Sequence, residues 1–146
     1  MPSASSPARP GLPPGVLPLF RRHVLVVEDE PLLALDTAAG LGAAGAAVVG
    51  PARSLAEAAR LLTAALIDAA VLDVDLGGVE VFPLADELMA AGVPFVFTTG
   101  RGEVDLPGRF TRAAHFAKPV DVARVSEAVC RAIRRNPPPA WNPCRR

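Results

Sequence analysis

The chain has 146 residues, with Lys plus Arg equal to Asp plus Glu at 15 each, so no global field draws it to nucleic acid or to an anionic membrane. Hydrophobic residues make up 51%, yet no apolar run approaches the ~20 residues needed to span a bilayer, and a soluble protein of one ordinary domain is expected. Two cysteines, Cys130 and Cys144, form neither a disulfide framework nor a metal site, which fits a reducing cytoplasm.

Residues 1–20 mix Pro, Ser, Gly and Ala with few large apolar side chains, and read as a disordered tail without the pattern of a secretory signal. The domain is expected over 21–135. It opens with a β-branched strand, His23 to Val27, which runs into Glu28, Asp29 and Glu30 before Pro31 starts a helix to about Ala44. That helix is expected to turn Leu32, Leu35, Ala38 and Ala39 inward. A second strand follows at Ala46 to Gly50. Ser54 and Glu57 then have the spacing of a capping box, which starts a helix from Leu55 to about Ala65.

The third strand is the apolar run that stops at Asp73, and it turns on Gly77 and Gly78 into a helix from about Val81 to Ala91. Pro94 to Thr99 is a fourth strand ending in hydroxyls. The segment Gly100 to Arg112 holds Gly102, Pro107 and Gly108, so the helix due there is short or irregular. Ala113 to Ala117 is a fifth strand ending at Lys118 and Pro119. Val122, Val125, Val129 and Ile133 give the inward stripe of a last helix, with Arg124, Glu127, Arg131, Arg134 and Arg135 outside. The proline run from Pro137 leaves 136–146 as a second tail, too short for a further domain.

Strands alternating with helices imply a doubly wound parallel sheet with right-handed crossovers and helices on both faces. The flavodoxin-like order 2-1-3-4-5 places Glu28 and Asp29 beside Asp73, because its switch point lies between strands one and three. Clustered carboxylates need a positive partner, and magnesium, a hard cation bound by carboxylates and water, is the natural guest. Lys118 and Thr99, at two further strand ends, add a cation and a hydroxyl. Together these residues make a phosphoryl-transfer kit that works by positioning and charge neutralisation.

The ordered motifs Val-Leu-Val-Val-Glu28-Asp29-Glu30-Pro31, Val-Leu-Asp73, Phe-Thr-Thr99-Gly100 and Lys118-Pro119 resemble the receiver domain of two-component response regulators over about residues 22–135. The resemblance implies that Asp73 accepts a phosphoryl group from a phosphohistidine on a sensor histidine kinase or phosphotransfer protein. It implies magnesium at Glu28, Asp29, Asp73 and the backbone carbonyl of Asp75, with Thr99 and Lys118 on the phosphoryl group and a cis bond before Pro119. Three features depart from the usual receiver: His115 at the position of the switch aromatic, the Gly/Pro segment in place of a full fourth helix, and the turn Leu76-Gly77-Gly78. They resemble a subgroup of stand-alone receivers. Such a chain would be no enzyme beyond its own phosphorylation and dephosphorylation, a monomer or weak dimer that signals through protein contacts in the cytoplasm.

Two other classes compete. Asp73-Val74-Asp75 has the Asp-x-Asp form of a haloacid dehalogenase-type phosphatase, but that family places it after its first strand. A phosphorylation-independent binding module of the same fold would not need the full acidic set with Thr99 and Lys118.

Overall fold

A computed structural model describes residues 17–100 and 106–136; the expected tails lie outside the described residues except for 17–20 and 136, as does the start of the Gly/Pro segment. In chain order the elements are β1 (His23–Val27), α1 (Pro31–Ala43), β2 (Ala47–Ala52), α2 (Leu55–Ala64) and β3 (Ala69–Asp73). They continue with β4 (Asp75–Leu76), β5 (Val79–Glu80), α3 (Phe82–Ala90), β6 (Phe95–Thr99), a single 3-10 turn at Gly108–Phe110, β7 (His115–Ala117) and α4 (Val122–Arg135). The main sheet has the order β2-β1-β3-β6-β7, all parallel, which is the expected flavodoxin-like arrangement.

Strand alternation divides the core in two. Leu25, Val27, Ala70, Leu72, Phe95 and Phe97 pack with Ala58 of α2 and Leu84, Ala85 and Leu88 of α3. On the other face Val24, Val26, Val71 and Val96 pack with Leu41 of α1 and with Val125, Val129 and Ile133 of α4. The two central strands are therefore apolar on both sides, and their runs end where the sheet ends.

Helix starts follow the local chemistry. Ser54 accepts a hydrogen bond from the Glu57 N–H at 3.1 Å, and the Glu57 carboxylate accepts from the Arg53 N–H at 3.2 Å, so the box closes one residue earlier than its usual form. Asp121 caps α4 by accepting from the Ala123 N–H at 3.0 Å.

The phase of α1 differs from expectation. Ala34, Thr37 and Leu41 are buried, whereas Leu32 and Leu35 are 73% and 64% exposed and Ala39 is exposed too. This helix is apolar on nearly every side, so periodicity could not choose its inner face. The choice falls to contact with α4, where a Cβ at Gly40 would collide with Val122 Cγ1.

Other boundaries also move. Residues 17–20 form a turn that belongs to the domain: Leu19 is fully buried and its N–H donates to the Ala44 carbonyl at 2.8 Å. β2 runs on to Ala52 through a cis Gly50–Pro51 bond. Between Asp73 and α3 the chain forms a small antiparallel hairpin, β4 with β5, rather than a plain turn.

The fourth connection carries no regular α-helix among its described residues, 106–112, but it is anchored. Phe110 is 1% exposed and completes an aromatic cluster, with ring centroids 5.6 Å from Phe82, 5.8 Å from Phe95 and 5.6 Å from Phe97. Arg109 lies over the Phe110 ring and makes a two-pronged pair with Asp86 of α3, at 2.7 and 3.0 Å. Replacing Phe110 by Ala should cost about 3–5 kcal/mol, the usual penalty for deleting a fully buried Phe. Thermal denaturation checks it, and a loss no larger than that of a surface substitution would contradict the anchoring role.

Candidate functional site

Three strands that end level with one another deliver the site. β1 pairs with β3 so that Val27 stands opposite Leu72, and the next residues, Glu28 and Asp73, reach the same rim. Both are buried, at 5% and 2% exposure. Asp29 is half-buried beside them, and carboxylate oxygens of Glu28, Asp29 and Asp73 all lie within 4.8 Å of one another. This is an all-oxygen, multiply negative donor set, the kind a hard divalent cation takes.

Lys118 holds the cluster together. Its ammonium lies 2.8 Å from Glu28 Oε1 and 3.2 Å from Asp73 Oδ2. The backbone brings it there, since the Lys118 N–H donates to the Thr99 carbonyl at 2.7 Å, and the Lys118–Pro119 bond is cis, as expected. Glu28 is fixed further by the Glu30 N–H, which donates to its Oε2 at 3.1 Å. Glu30 itself faces away from this role and caps α1 by accepting from the Leu33 N–H at 2.9 Å. Of the three consecutive acids, two belong to the cluster and one to the helix.

The remaining expected residues are placed as follows. Thr99 is buried at the last position of β6, and Thr98, also buried, stands in register with Asp73. His115 is exposed on the edge strand β7, while its neighbour Phe116 packs partly into the α1/α4 core. The Asp75 N–H donates to Asp73 Oδ1 at 3.3 Å, and the Asp75 carboxylate accepts from the Gly78 N–H at 2.7 Å. That carboxylate braces the hairpin.

The β4–β5 hairpin is part of the site although periodicity alone did not reveal it. Gly77 and Gly78 have φ of +64° and +94°, the left-handed pair that a two-residue hairpin turn demands. A Cβ on Gly77 would stand 3.4 Å from Asp29 Oδ2, so the turn forms one wall of the acidic cluster. The adjacent glycines were the available signal: Gly-Gly between Asp75-Leu76 and Val79-Glu80 is itself a hairpin sequence.

Burial and then the neighbouring Glu28 carboxylate raise Asp73 to about 7, with Lys118 opposing. For Glu28 burial pushes upward, but hydrogen bonds from Asp73, Lys118 and the Glu30 backbone outweigh it and hold the group below its ordinary value. Burial alone would lower Lys118, yet its two carboxylate partners hold it above the usual lysine value. Asp73 and Glu28 therefore titrate as a coupled pair, with Asp73 the member pushed upward by burial and by its neighbour's charge.

A pH dependence of stability follows. Asp73 binds its proton more tightly when folded than at the ordinary value of 3.8, so between 3.8 and about 7 the folded state carries a proton that the unfolded chain has lost. Stability of the metal-free protein should fall as pH rises through that window. Asp73→Asn should flatten the fall and raise the melting temperature above wild type at mildly alkaline pH. Parallel melting curves across pH for the two proteins would contradict it.

No family model matches the chain. A curated relative, the phyllosphere-induced regulator PhyR of Methylorubrum extorquens, is 32% identical over 115 residues, which is 76% of this chain; the chain spans only 43% of PhyR's length. The solution structure of SdrG from Sphingomonas melonis is 34% identical, with a TM-score of 0.65, covering 77% of this chain and 97% of SdrG. A response regulator from Burkholderia pseudomallei, solved with a phosphorylated aspartic acid, a calcium ion and citrate, is 25% identical with a TM-score of 0.66, covering 74% of this chain and 66% of that one. With sequence, sheet order and nearly the whole of SdrG in agreement, the chain belongs to the receiver domains of response regulators in two-component signalling.

Proposed function

We propose that Asp73 accepts a phosphoryl group from a phosphohistidine on a sensor histidine kinase or phosphotransfer protein, beside a magnesium ion held by Asp29, Asp73 and the Asp75 backbone carbonyl, with Glu28 adjoining. The observation that carries this reading is the juxtaposition at one sheet rim: a buried aspartate, two further carboxylates within 4.8 Å, and a lysine ammonium 3.2 Å from the aspartate. In the transfer a carboxylate oxygen of Asp73 forms a bond to phosphorus as the phosphorus–nitrogen bond breaks, and the imidazole leaves with that electron pair. Bound magnesium would supply charge neutralisation for the phosphoryl oxygens.

The chain's own groups do the rest. Lys118, released from its contacts with Glu28 and Asp73, meets one phosphoryl oxygen, and the hydroxyl of Thr99 donates to another. The Lys118 N–H bond to the Thr99 carbonyl keeps these two residues in step. The Burkholderia regulator, solved with both a phosphorylated aspartic acid and a calcium ion, lends support to a divalent cation in this reading.

On this reading the protein turns over nothing but its own phosphoryl group, and its output is a change in protein contacts. Neither nucleic acid nor membrane is a partner. The balanced charge supports the first, and no helix among the described residues is long and apolar enough to cross a membrane. A cytoplasmic monomer or weak dimer is the form proposed. The phosphatase reading through Asp75 has less support, because that carboxylate is engaged with the Gly78 N–H in the hairpin.

Incubation with acetyl phosphate and magnesium, followed by intact-mass measurement, should add one phosphoryl group to the wild type and none to Asp73→Asn. Undiminished labelling of the Asn variant would move the nucleophile elsewhere. Asp29→Asn should weaken magnesium binding on the order of tenfold or more, since it removes a negative ligand from a hard cation. Lys118→Ala should bind magnesium at least as well as wild type, because a competing ammonium is gone, yet phosphorylate poorly or fail to signal. Magnesium titrations of the two variants separate the roles, and equal loss of affinity in both would sink the assignment.

A further inference from the structure

The second half of α4 and the starts of β6 and β7 enclose a groove of about 790 Å³, at the far end of the sheet from Asp73. Its lining is apolar: Phe95, Val96 and Ala128 are buried, Val93 and Ala132 are half-buried, and Met89 is 45% exposed. Alanines on the α4 and β7 sides leave the space to a guest, and the volume lies in the range of ligand pockets, roughly 300–1,000 Å³. Nothing in the phosphorylation chemistry uses this groove.

Charge decides what kind of guest fits. Arg131 and Arg135 are exposed on α4 one turn apart, about 6 Å along its axis, and Arg112 joins them from the β7 side. No Asp or Glu is among the described lining residues. Arg131 has Glu127 on its own helix at 3.7 Å, but both side chains are exposed, and such a pair is weak enough for a better-placed anion to replace. The helix as a whole holds four arginines against that one glutamate, in a chain whose charges balance. The dipole of α4 accounts for arginine in its last turn, but not for Arg112, which belongs to another element.

We propose that this groove is the docking site for an acidic amphipathic helix of a partner protein. Large apolar side chains of that helix fill the slot, and carboxylates one turn apart meet Arg131 and Arg135, with Arg112 on the other side. A nucleic acid backbone would satisfy the arginines and leave the apolar lining uncovered; a purely apolar segment would do the reverse. An acidic amphipathic helix meets both demands. The chemistry of the groove is independent of the proposed phosphorylation, and a partner seated at this end leaves the Asp73 rim clear.

Two labelled helical peptides test this, identical in a Leu/Phe face and differing only in flanking residues at i and i+4 spacing, glutamates in one and lysines in the other. Fluorescence anisotropy with the full chain is measured without a phosphodonor, so the outcome does not depend on what happens at Asp73. The glutamate peptide should bind about tenfold tighter than the lysine peptide or better, and more weakly as salt rises. Arg131→Glu combined with Arg135→Glu should reverse that preference while labelling of Asp73 by acetyl phosphate stays at the wild-type level. Should the double variant not fold, Arg112→Glu, on a different element, takes its place. Ala132→Leu, which fills the slot without changing charge, should weaken the glutamate peptide about tenfold. Equal binding of the two peptides, or a preference that the charge reversal leaves unchanged, would overturn the proposal. So would a single-stranded oligonucleotide of matching charge that binds as tightly as the glutamate peptide, which would assign the arginines to a phosphate backbone.

Discussion

Three carboxylates meet at one rim of the sheet, and the Lys118 ammonium between Glu28 and Asp73 is what makes that meeting tolerable. Taken alone, buried like charges this close would repel and lose hydration, and one of them would take up a proton. Asp73 does so in part, as its upward shift records. On the proposed function the arrangement would take up a cation or a proton, and the same lysine that steadies it at rest would meet a phosphoryl group afterwards. Fold and site are inseparable here, because only the 2-1-3 strand order brings residues 28, 29 and 73 together.

Much of this was legible because the site lies where apolar runs end. Leu25 to Val27 and Ala69 to Leu72 are buried on both faces, so a change to Glu28 or Asp73 marks the end of the sheet as plainly as it marks chemistry. Lys118 was legible only in company, through the proline after it and the strand before it. The phase of α1 was not legible, since Leu32, Leu35, Ala34 and Leu41 are all apolar, and the deciding contact is tertiary, Gly40 against Val122. The burial of Leu19 was hidden by the composition around it, because one leucine docking beside Ala44 does not alter the average of a Pro-rich stretch.

The connection before β7 shows how composition can be right about form and silent about anchoring. Glycine and proline disfavour a helix, and over 106–112 there is none beyond the 3-10 turn. Yet Phe110 and Arg109 bind this stretch to α3 and to the aromatic core. A loop held at one end beyond Thr99 and Gly100 differs physically from a free one.

The central claim is that the buried aspartate at the end of β3 is the group that takes up phosphate. Borohydride reduction tests it most directly, since it converts an acyl-phosphorylated aspartate to homoserine and leaves ordinary carboxylates intact. Peptide mapping of the phosphorylated, reduced protein should find homoserine at position 73 and nowhere else. Homoserine at position 29 or 75, or phosphate that survives reduction on a hydroxyl or imidazole, would contradict the account.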